Sequence, residues 1–142
     1  MNHWLFKSEP EAWSWEQMQA AGPKGTGWTG VRNHQAKLNM MAMTVDDLGF
    51  FYHSGAGKEI VGIVAVIAPF HPDPTDASGT FGMVDIRALR GLKQPVTLAA
   101  VKAEKRLAKM ALVTNSRLSV QPVTAAEWKL VCAMAQTSPD GD

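Results

Sequence analysis

The sequence predicts an α+β domain in which short helices surround a mixed β-sheet that is curved or barrel-like. From Trp4 to Lys7 the residues alternate between two faces, which is the two-residue period of a half-buried strand. The turn at Ser54–Lys58 separates two apolar runs and predicts an antiparallel hairpin. Strands and helices do not alternate regularly along the chain, so a doubly wound parallel sheet is not predicted.

The first strand stops at Pro10, and a helix follows it. Ser14, with Gln17 three residues later, forms a capping box, and Trp13 and Met18 have the spacing of a hydrophobic staple. The Gly-Pro pair at 22–23 ends this helix, because glycine favours a C-terminal stop and proline cannot continue the helix.

The later elements are predicted from helical and strand periodicity. A loop over residues 23–27 leads to Trp28, and a second helix begins near Asn33, where apolar positions 38, 41, 42 and 45 have helical spacing. The chain then predicts strands over residues 48–54, 59–69, 81–88 and 117–123, a loop over 71–79, two short helices within 97–110, and a last helix capped by Thr124 and Glu127. These elements form one domain over residues 1–136, and residues 137–142 are expected to be a disordered tail.

Composition limits the class of protein. The chain has 142 residues, of which 46% are hydrophobic and 19% charged, so it fits one domain with a core and a mainly disordered state is excluded. No apolar run approaches the ~18 residues of a membrane span, and the N terminus lacks the pattern of a secretory signal. Cys132 is the only cysteine, which excludes an intramolecular disulfide and a cysteine-based zinc site. We expect a cytoplasmic setting and no membrane partner.

Charge is distributed unevenly along the chain. The formal net charge of +1 argues against a protein that coats nucleic acid non-specifically. The segment from Arg90 to Arg117 nevertheless has seven basic residues and one acidic residue, a net charge of +6. It is either a solvated helix face or a rim that faces phosphates, and in the second case the expected phosphate contacts are Lys102, Lys105, Arg106 and Lys109.

Known catalytic motifs are absent from the sequence. It has no phosphate-binding Gly-Lys-Ser/Thr loop, no dinucleotide glycine fingerprint, no Gly-x-Ser-x-Gly nucleophile elbow and no histidines at metal-ligand spacing. We therefore expect no cofactor, no metal and neither nucleophilic nor metal-dependent catalysis.

Polar residues adjoin aromatic ones where several apolar strands begin or end. This holds for Lys7-Ser8-Glu9, Tyr52-His53-Ser54 and Arg117-Leu118-Ser119, and Trp28-Thr29-Gly30-Val31-Arg32-Asn33 follows a flexible loop. An aromatic wall with a few polar groups suits a planar heterocycle, which stacks on the ring while the polar groups read its edge. Simpler readings remain: Asn33 as a helix cap, Arg32 in a surface ion pair and Glu9 as a solvated turn residue. His53 lies on the opposite strand face from Tyr52 and Ser54.

These residues resemble the EVE domain family. The resemblance is carried by Lys7-Ser8-Glu9-Pro10, Trp15, Trp28-x-Gly30-Val31-Arg32-Asn33-x-Gln35-Ala36, Phe51-Tyr52-His53-Ser54 and Arg117-Leu118-Ser119-Val120, and it covers nearly the whole chain. It implies a PUA-like pseudo-barrel, similar to YTH domains, with a pocket for a modified or flipped base of DNA or RNA. Two positions depart from the family pattern: Asp46-Asp47 replaces the usual Gly-Asp, and Phe81-Gly82-Met83 replaces a frequent aromatic pair.

The resemblance also implies roles for individual residues. Lys7, Ser8 and Glu9 belong to the pocket floor or edge, Trp28 is a cage tryptophan, and Thr29 and Asn33 offer edge contacts, with Arg32 in the same segment. Tyr52, His53 and Ser54 form a wall, and Arg117 and Ser119 stand at the mouth.

The resulting hypothesis is a non-catalytic module that binds DNA or RNA carrying a modified base, while other proteins supply any effector activity. One alternative is an enzyme acting on a modified base or nucleotide, with Glu9 or His53 as general base and Lys7 or Arg32 on a phosphate. Another is a module that mainly contacts proteins, which an apolar surface patch without a cavity at Trp28 would favour.

Overall fold

The computed structural model describes residues 2–140. Its strands are β1 (His3–Ser8), β2 (Thr26–Gly27), β3 (Leu48–His53), β4 (Glu59–Pro72), β5 (Gly82–Thr97) and β6 (Val120–Val123). Its α-helices are α1 (Trp15–Ala20), α2 (His34–Met41), α3 (Leu98–Ala103), α4 (Ala111–Thr114) and α5 (Ala125–Met134), and short 3₁₀ turns span Gly22–Lys24 and Lys105–Leu107.

The described strands form one mixed sheet of six strands in the order β2-β5-β4-β3-β1-β6. Strand β1 pairs in parallel with β3 and antiparallel with β6, whereas β3, β4 and β5 form an antiparallel series. The predicted α+β class with a mixed sheet and short helices is therefore confirmed.

Helix α2 contacts strands that are far apart in the sheet order. This eight-residue helix contacts β4, β5 and β6. Strands β5 and β6 are separated by three others in the sheet order, which at ~4.8 Å per strand is about 19 Å in a flat sheet. A helix of this length rises about 12 Å, so its contacts with strands this far apart in the sheet order favour a sheet that curves around it.

Apolar residues cover both faces of the sheet. Leu5 packs with Phe50 and Trp128 on one side, and Phe6 packs with Phe51 and Trp28 on the other. Strand β1 is therefore buried on both faces, and the prediction of a half-buried first strand is wrong. The alternating side chains of β1 therefore face two apolar cores rather than one core and the solvent.

The predicted helix starts are confirmed. Ser14 and Gln17 form the capping box of α1, Thr124 and Glu127 form that of α5, and Asn33 accepts from the Ala36 N–H at the start of α2. Such caps are recognisable from sequence because they depend on residues only three positions apart.

Several boundaries differ from the predictions; for example, β4 extends to Pro72 instead of ending at 69. Strand β5 continues to Thr97 instead of ending near Ala88, and β6 begins at Val120 instead of 117. The predicted loop over 23–27 contains β2, which pairs with β5 through Thr26 and Gly27. This pairing is long-range, so the local composition of the loop does not reveal it.

The apolar positions used to predict α2 do not form its buried face. Leu38 is 56% exposed, Met41 53% and Val45 49%, whereas Ala36, Asn39 and Met40 are buried. The Asn39 amide compensates for its burial by donating to the Val120 carbonyl at 2.7 Å. The predicted helix is confirmed, but the apolar residues Leu38, Met41 and Val45 that predicted it are exposed to solvent.

The turn before β3 explains one departure from the family pattern. Asp46 has a φ of +76°, the left-handed conformation that glycine adopts most easily. Asp47 is buried and accepts from the Trp4 indole N–H at 3.0 Å and from the Thr44 N–H at 3.1 Å. The chain thus has an aspartate at the glycine position of the turn and keeps the buried aspartate beside it.

The C-terminal segment after α5 contacts the domain. The Trp128 indole donates to the Pro139 carbonyl at 2.9 Å, and the Lys93 N–H donates to the Thr137 hydroxyl at 2.9 Å. The disorder expected for residues 137–142 stays a prediction, and residues 141 and 142 lie outside the described part of the chain.

Candidate functional site

A cavity of about 480 Å³ opens on the side of the sheet that carries Trp28. Its lining comes from the end of β1, the loop before α1, the segment 26–32 and the chain just before β6: Lys7, Ser8, Glu9, Ala12, Trp13, Thr26, Gly27, Trp28, Thr29, Gly30, Val31, Arg32 and Ser119. Seven of the predicted site residues therefore meet here, namely Lys7, Ser8, Glu9, Trp28, Thr29, Arg32 and Ser119.

Lys7 and Ser8 connect three of these segments. The Lys7 ammonium donates to the Ser116 carbonyl at 2.5 Å, and the Lys7 N–H donates to the Ser119 carbonyl at 2.9 Å. The Ser8 hydroxyl donates to the Trp13 carbonyl. Burial lowers the pKa of the Lys7 amine. The end of β1 is thus bonded to the loop before α1 and to the chain before β6, which form two walls of the cavity. It also supplies a partly buried cation, the Lys7 ammonium.

The two tryptophans of the cavity differ in how firmly they are held. Trp28 is only 9% exposed and meets Phe6 and Phe51 edge-on, with ring centroids 5.5 and 5.9 Å away. Trp13 is half-buried, and its indole N–H points at the Met18 sulfur, 3.4 Å away. The staple predicted between Trp13 and Met18 is confirmed, and the same tryptophan also lines the cavity.

Asp73 anchors the segment that carries Trp28. Its buried carboxylate accepts from the Gly30 N–H at 2.8 Å, from the Arg32 guanidinium at 3.3 Å and from the Thr75 N–H at 2.7 Å. Burial alone would raise the pKa of this carboxyl, but these bonds and that of the Thr75 hydroxyl outweigh it and lower the pKa to about 2. The loop between β4 and β5 therefore holds residues 30–32 through an ionised carboxylate.

Five predicted site residues lie outside the cavity lining: Asn33, Tyr52, His53, Ser54 and Arg117. Asn33 caps α2, as its simpler reading proposed, and Tyr52 is buried in the opposite core with Phe50. His53 accepts from the Trp15 N–H at 2.9 Å, and Ser54 donates to the Ser8 carbonyl. Tyr52, His53 and Ser54, the residues of the expected wall, therefore do not line this cavity, although β3 lies next to β1 in the sheet.

The four predicted phosphate contacts are also absent from the lining. Lys102 lies on α3, Lys105 and Arg106 lie on the 3₁₀ turn that follows, and Lys109 precedes α4. These elements pack through Val101 and Leu107 on the core that faces away from Trp28. The Arg106 guanidinium also pairs with Glu104 at 2.8 Å. Their contact with phosphate stays a prediction.

Sequence reasoning missed several lining residues, of which Trp13 is the most informative. The others are Ala12, Thr26, Gly27, Gly30 and Val31. Trp13 was interpreted only as a staple, although its position after the polar end of β1 matches that of the other aromatic residues in the site. The glycines give no such signal, because a glycine in a loop has many possible causes.

Other kinds of site are not indicated in the described chain. Within residues 2–140 no group of three or more His, Cys, Asp or Glu side chains could hold a metal ion. None of the described helices has the length and apolar character that spanning a bilayer requires.

Comparison with known proteins decides the family. Residues 2–134 match the family model described as EVE domain. The chain belongs to the EVE domain family. Thymocyte nuclear protein 1 of Rattus norvegicus is 32% identical, and the match covers 97% of this chain and 75% of the rat protein. The resemblance predicted from the motifs is confirmed.

Solved structures extend this similarity to the fold. A protein from Agrobacterium tumefaciens is 53% identical with a TM-score of 0.95, and the match covers 100% of this chain and 99% of that one. Human THYN1 protein, solved in complex with DNA that contains 5-methylcytosine, is 30% identical with a TM-score of 0.88, covering 98% and 100%. The YTH domain of Zygosaccharomyces rouxii MRB1 protein, solved with N6-methyladenosine RNA, is 16% identical with a TM-score of 0.57, covering 96% and 85%, which shows a shared fold.

Proposed function

We propose that this EVE domain binds a modified base of a nucleic acid in the cavity beside Trp28. The observation that carries the proposal is that two tryptophans and several polar side chains line one cavity of about 480 Å³. Ligand sites of roughly 300–1,000 Å³ with an apolar wall and few polar groups are typical for small molecules. The human relative solved with DNA that contains 5-methylcytosine supports the same class of ligand.

Recognition divides between stacking and edge contacts. An extruded base that stacks on an indole gains about 1–3 kcal/mol, which offsets the few kcal/mol required to leave a duplex. Thr29 and Ser119 offer hydroxyl groups and Glu9 offers a carboxylate at the edges of the cavity, whereas the Ser8 hydroxyl already donates to the Trp13 carbonyl. Because two tryptophans line the cavity, a methyl group on the base adds apolar area that is buried on binding, and we expect the modified base to bind more tightly than the unmodified one.

A binding role without catalysis is the second part of the proposal. Glu9 and His53 were the alternative general bases, and only Glu9 lines the cavity. The His53 Nε2 is occupied by the Trp15 N–H, 2.9 Å away, which removes it from proton transfer. Mass analysis of modified nucleosides and oligonucleotides after incubation with the protein should reveal no product. A product whose formation depends on Glu9 would instead favour the enzyme.

The exposed stripe of Leu38, Met41 and Val45 is the feature that a protein-contact module would use. The presence of a cavity at Trp28 favours base binding over that alternative, because a pure protein-contact surface does not need a cavity there. Both could coexist on one domain, since the stripe and the cavity involve different residues.

Trp28 and Trp15 provide a matched pair of variants. Both side chains are 9% exposed and both contact Phe51, but only Trp28 lines the cavity. In Trp28→Phe, we expect the affinity for an oligonucleotide with its preferred modified base to fall about five- to tenfold, equivalent to about 1–1.4 kcal/mol. In Trp15→Phe, the affinity should change less than twofold.

Fluorescence anisotropy with oligonucleotides that contain 5-methylcytosine, N6-methyladenine or no modification measures both variants. Circular dichroism establishes that each is folded, and Trp13→Leu tests the second wall with less disturbance of the core. Equal preference of the wild-type protein for all oligonucleotides, or equal losses in Trp28→Phe and Trp15→Phe, would contradict the proposal.

A further inference from the structure

A group of basic side chains surrounds the ring of Phe81 next to the cavity. The Arg32 Cζ lies 5.8 Å and the Lys37 Nζ 5.9 Å from the centroid of that ring. The His34 ring lies 5.0 Å from it. Arg32, His34, Lys37 and Phe81 are called the Phe81 cluster below. Because Arg32 also lines the cavity, the cluster begins at the cavity wall.

Two features hold the Phe81 cluster in place. The Asp76 carboxylate accepts from the Phe81 N–H at 2.7 Å and so fixes the start of β5. The negative face of the Phe81 ring attracts cations. This attraction keeps Arg32, on the segment before α2, close to Lys37, on α2. Three potential donors to an anion therefore converge on a short stretch of surface.

The carboxylates of the loop between β4 and β5 neutralise only one of these groups. Asp73 pairs with Arg32 at 3.3 Å, and Asp76 also feels the Arg32 charge. Within residues 2–140, no carboxylate lies within salt-bridge distance of Lys37 or His34. Lys37 is thus a cation beside the cavity that lacks a protein counter-ion in the described chain.

We propose that the Phe81 cluster binds a backbone phosphate of the DNA strand whose base occupies the cavity, with Lys37 as the main contact. The proposal rests on the function proposed above and deepens it, because it specifies where the strand leaves the cavity. A strand that passes Arg32 meets Lys37 and His34 next, and both can donate to phosphate oxygens. The basic residues of 102–109 belong to elements that pack on the opposite core and do not line the cavity, which favours Lys37 for the nucleotide adjacent to the base.

The test compares Lys37 with a lysine that lies outside the cavity and outside both basic segments. Lys37→Gln removes the proposed contact, Lys37→Arg keeps its charge, and Lys129→Gln is the control, since Lys129 is exposed on α5 and does not line the cavity. Anisotropy titrations use single-stranded oligodeoxynucleotides with one 5-methylcytosine or none, at salt concentrations from 50 to 200 mM. The readouts are the affinity, its salt slope and the ratio between the two oligonucleotides.

Lys37→Gln should weaken binding of both oligonucleotides by the same factor, about three- to tenfold at low salt, and reduce the salt slope by about 0.7–1. Lys37→Arg should restore the slope, and Lys129→Gln should leave it unchanged. An unchanged slope in Lys37→Gln, or an equal reduction in Lys37→Gln and Lys129→Gln, overturns this assignment. Absence of any binding by the wild type overturns it together with the proposed function.

The ratio of the affinities for the modified and unmodified oligonucleotides separates the two proposals. If the wild type binds both with equal affinity but Lys37→Gln still reduces the slope, the phosphate contact stands and the modified-base function fails. If the wild type prefers the modified oligonucleotide and Lys37→Gln changes nothing, the function stands and the Phe81 cluster is not its phosphate site.

Discussion

Arg32 is tied to Asp73, with the guanidinium Nη1 3.3 Å from the carboxylate Oδ2. The same oxygen accepts from the Gly30 N–H at 2.8 Å, so one buried carboxylate holds two residues of the segment that follows Trp28. The cavity wall and the loop between β4 and β5 are thereby coupled, although they are distant in sequence.

Asp73→Asn should loosen that wall and destabilise the domain. The variant replaces one acceptor oxygen by a donor, which leaves a buried N–H opposite another donor and removes the charge that pairs with Arg32. We expect the free energy of unfolding in urea to fall by about 2–3 kcal/mol, because hydrogen bonds to a buried charged group are strong. Asp76→Asn, on a partly exposed carboxylate of the same loop, should have a smaller effect. Equal effects of the two variants would show that burial of Asp73 is not decisive.

Asp46→Gly should stabilise the protein. With its φ of +76°, Asp46 adopts a backbone conformation that is unfavourable for a residue with a Cβ atom. Removing this strain should raise the free energy of unfolding by about 0.5–1 kcal/mol, measured by thermal or urea unfolding. The neighbouring Val45→Gly is the control, and it should destabilise the protein because Val45 lacks a positive φ. A loss of stability in Asp46→Gly would show that the aspartate side chain contributes more than the strain costs.

His53 should make stability depend on pH near neutrality. Burial is the main cause that lowers the pKa of His53 below its usual value, while Glu59 and Glu11 act in the opposite direction. The neutral ring accepts from the Trp15 N–H, so its contribution to stability is fully present above the unfolded-state pKa of about 6.5 and is lost as the pH falls through the lowered folded-state pKa.

His53→Gln keeps an acceptor at this position but does not titrate. As the pH falls from 8 to 5, the wild type should lose stability relative to His53→Gln, as measured by urea unfolding at each pH. A difference between the two proteins that stays constant over this range would contradict the role assigned to the neutral ring.

Cys132 should be unreactive in the folded protein. Its thiol is fully buried in the core with Trp128, and burial raises its pKa to about 11, although Arg90 opposes this shift. Because the thiolate is the reactive form, a disulfide reagent such as Ellman's reagent should label the folded protein far more slowly than the protein in 6 M urea. Rapid labelling of the folded protein would show that α5 opens frequently.

Local signals explain which parts of the fold could be predicted. The caps at Ser14, Asn33 and Thr124 depend on neighbours within three residues, so the sequence alone predicts them. Strand β2 and the hydrogen bond from Gly30 to Asp73 depend on partners far along the chain, and no local pattern reveals these.

Local signals also explain which residues of the candidate site could be predicted. Residues at the end of β1 and the segment after Trp28 were recognised because polar groups there interrupt apolar runs. The wall role of Tyr52 is implied by the family resemblance, but this residue lies on the face of β3 that packs with Phe50, whereas Phe51 faces Trp28. Strand periodicity separates the two faces, yet it does not state which of them carries the cavity.

The most direct test of base binding in the cavity uses the indole N–H signals of the five tryptophans in a two-dimensional NMR titration. An oligonucleotide with the preferred modified base should shift the signals of Trp13 and Trp28, which line the cavity. The signals of Trp4 and Trp128 should stay in place, because their indoles donate to Asp47 and Pro139 away from it. Shifts confined to Trp4 or Trp128, or a response that is the same for the unmodified oligonucleotide, would contradict modified-base recognition at this site.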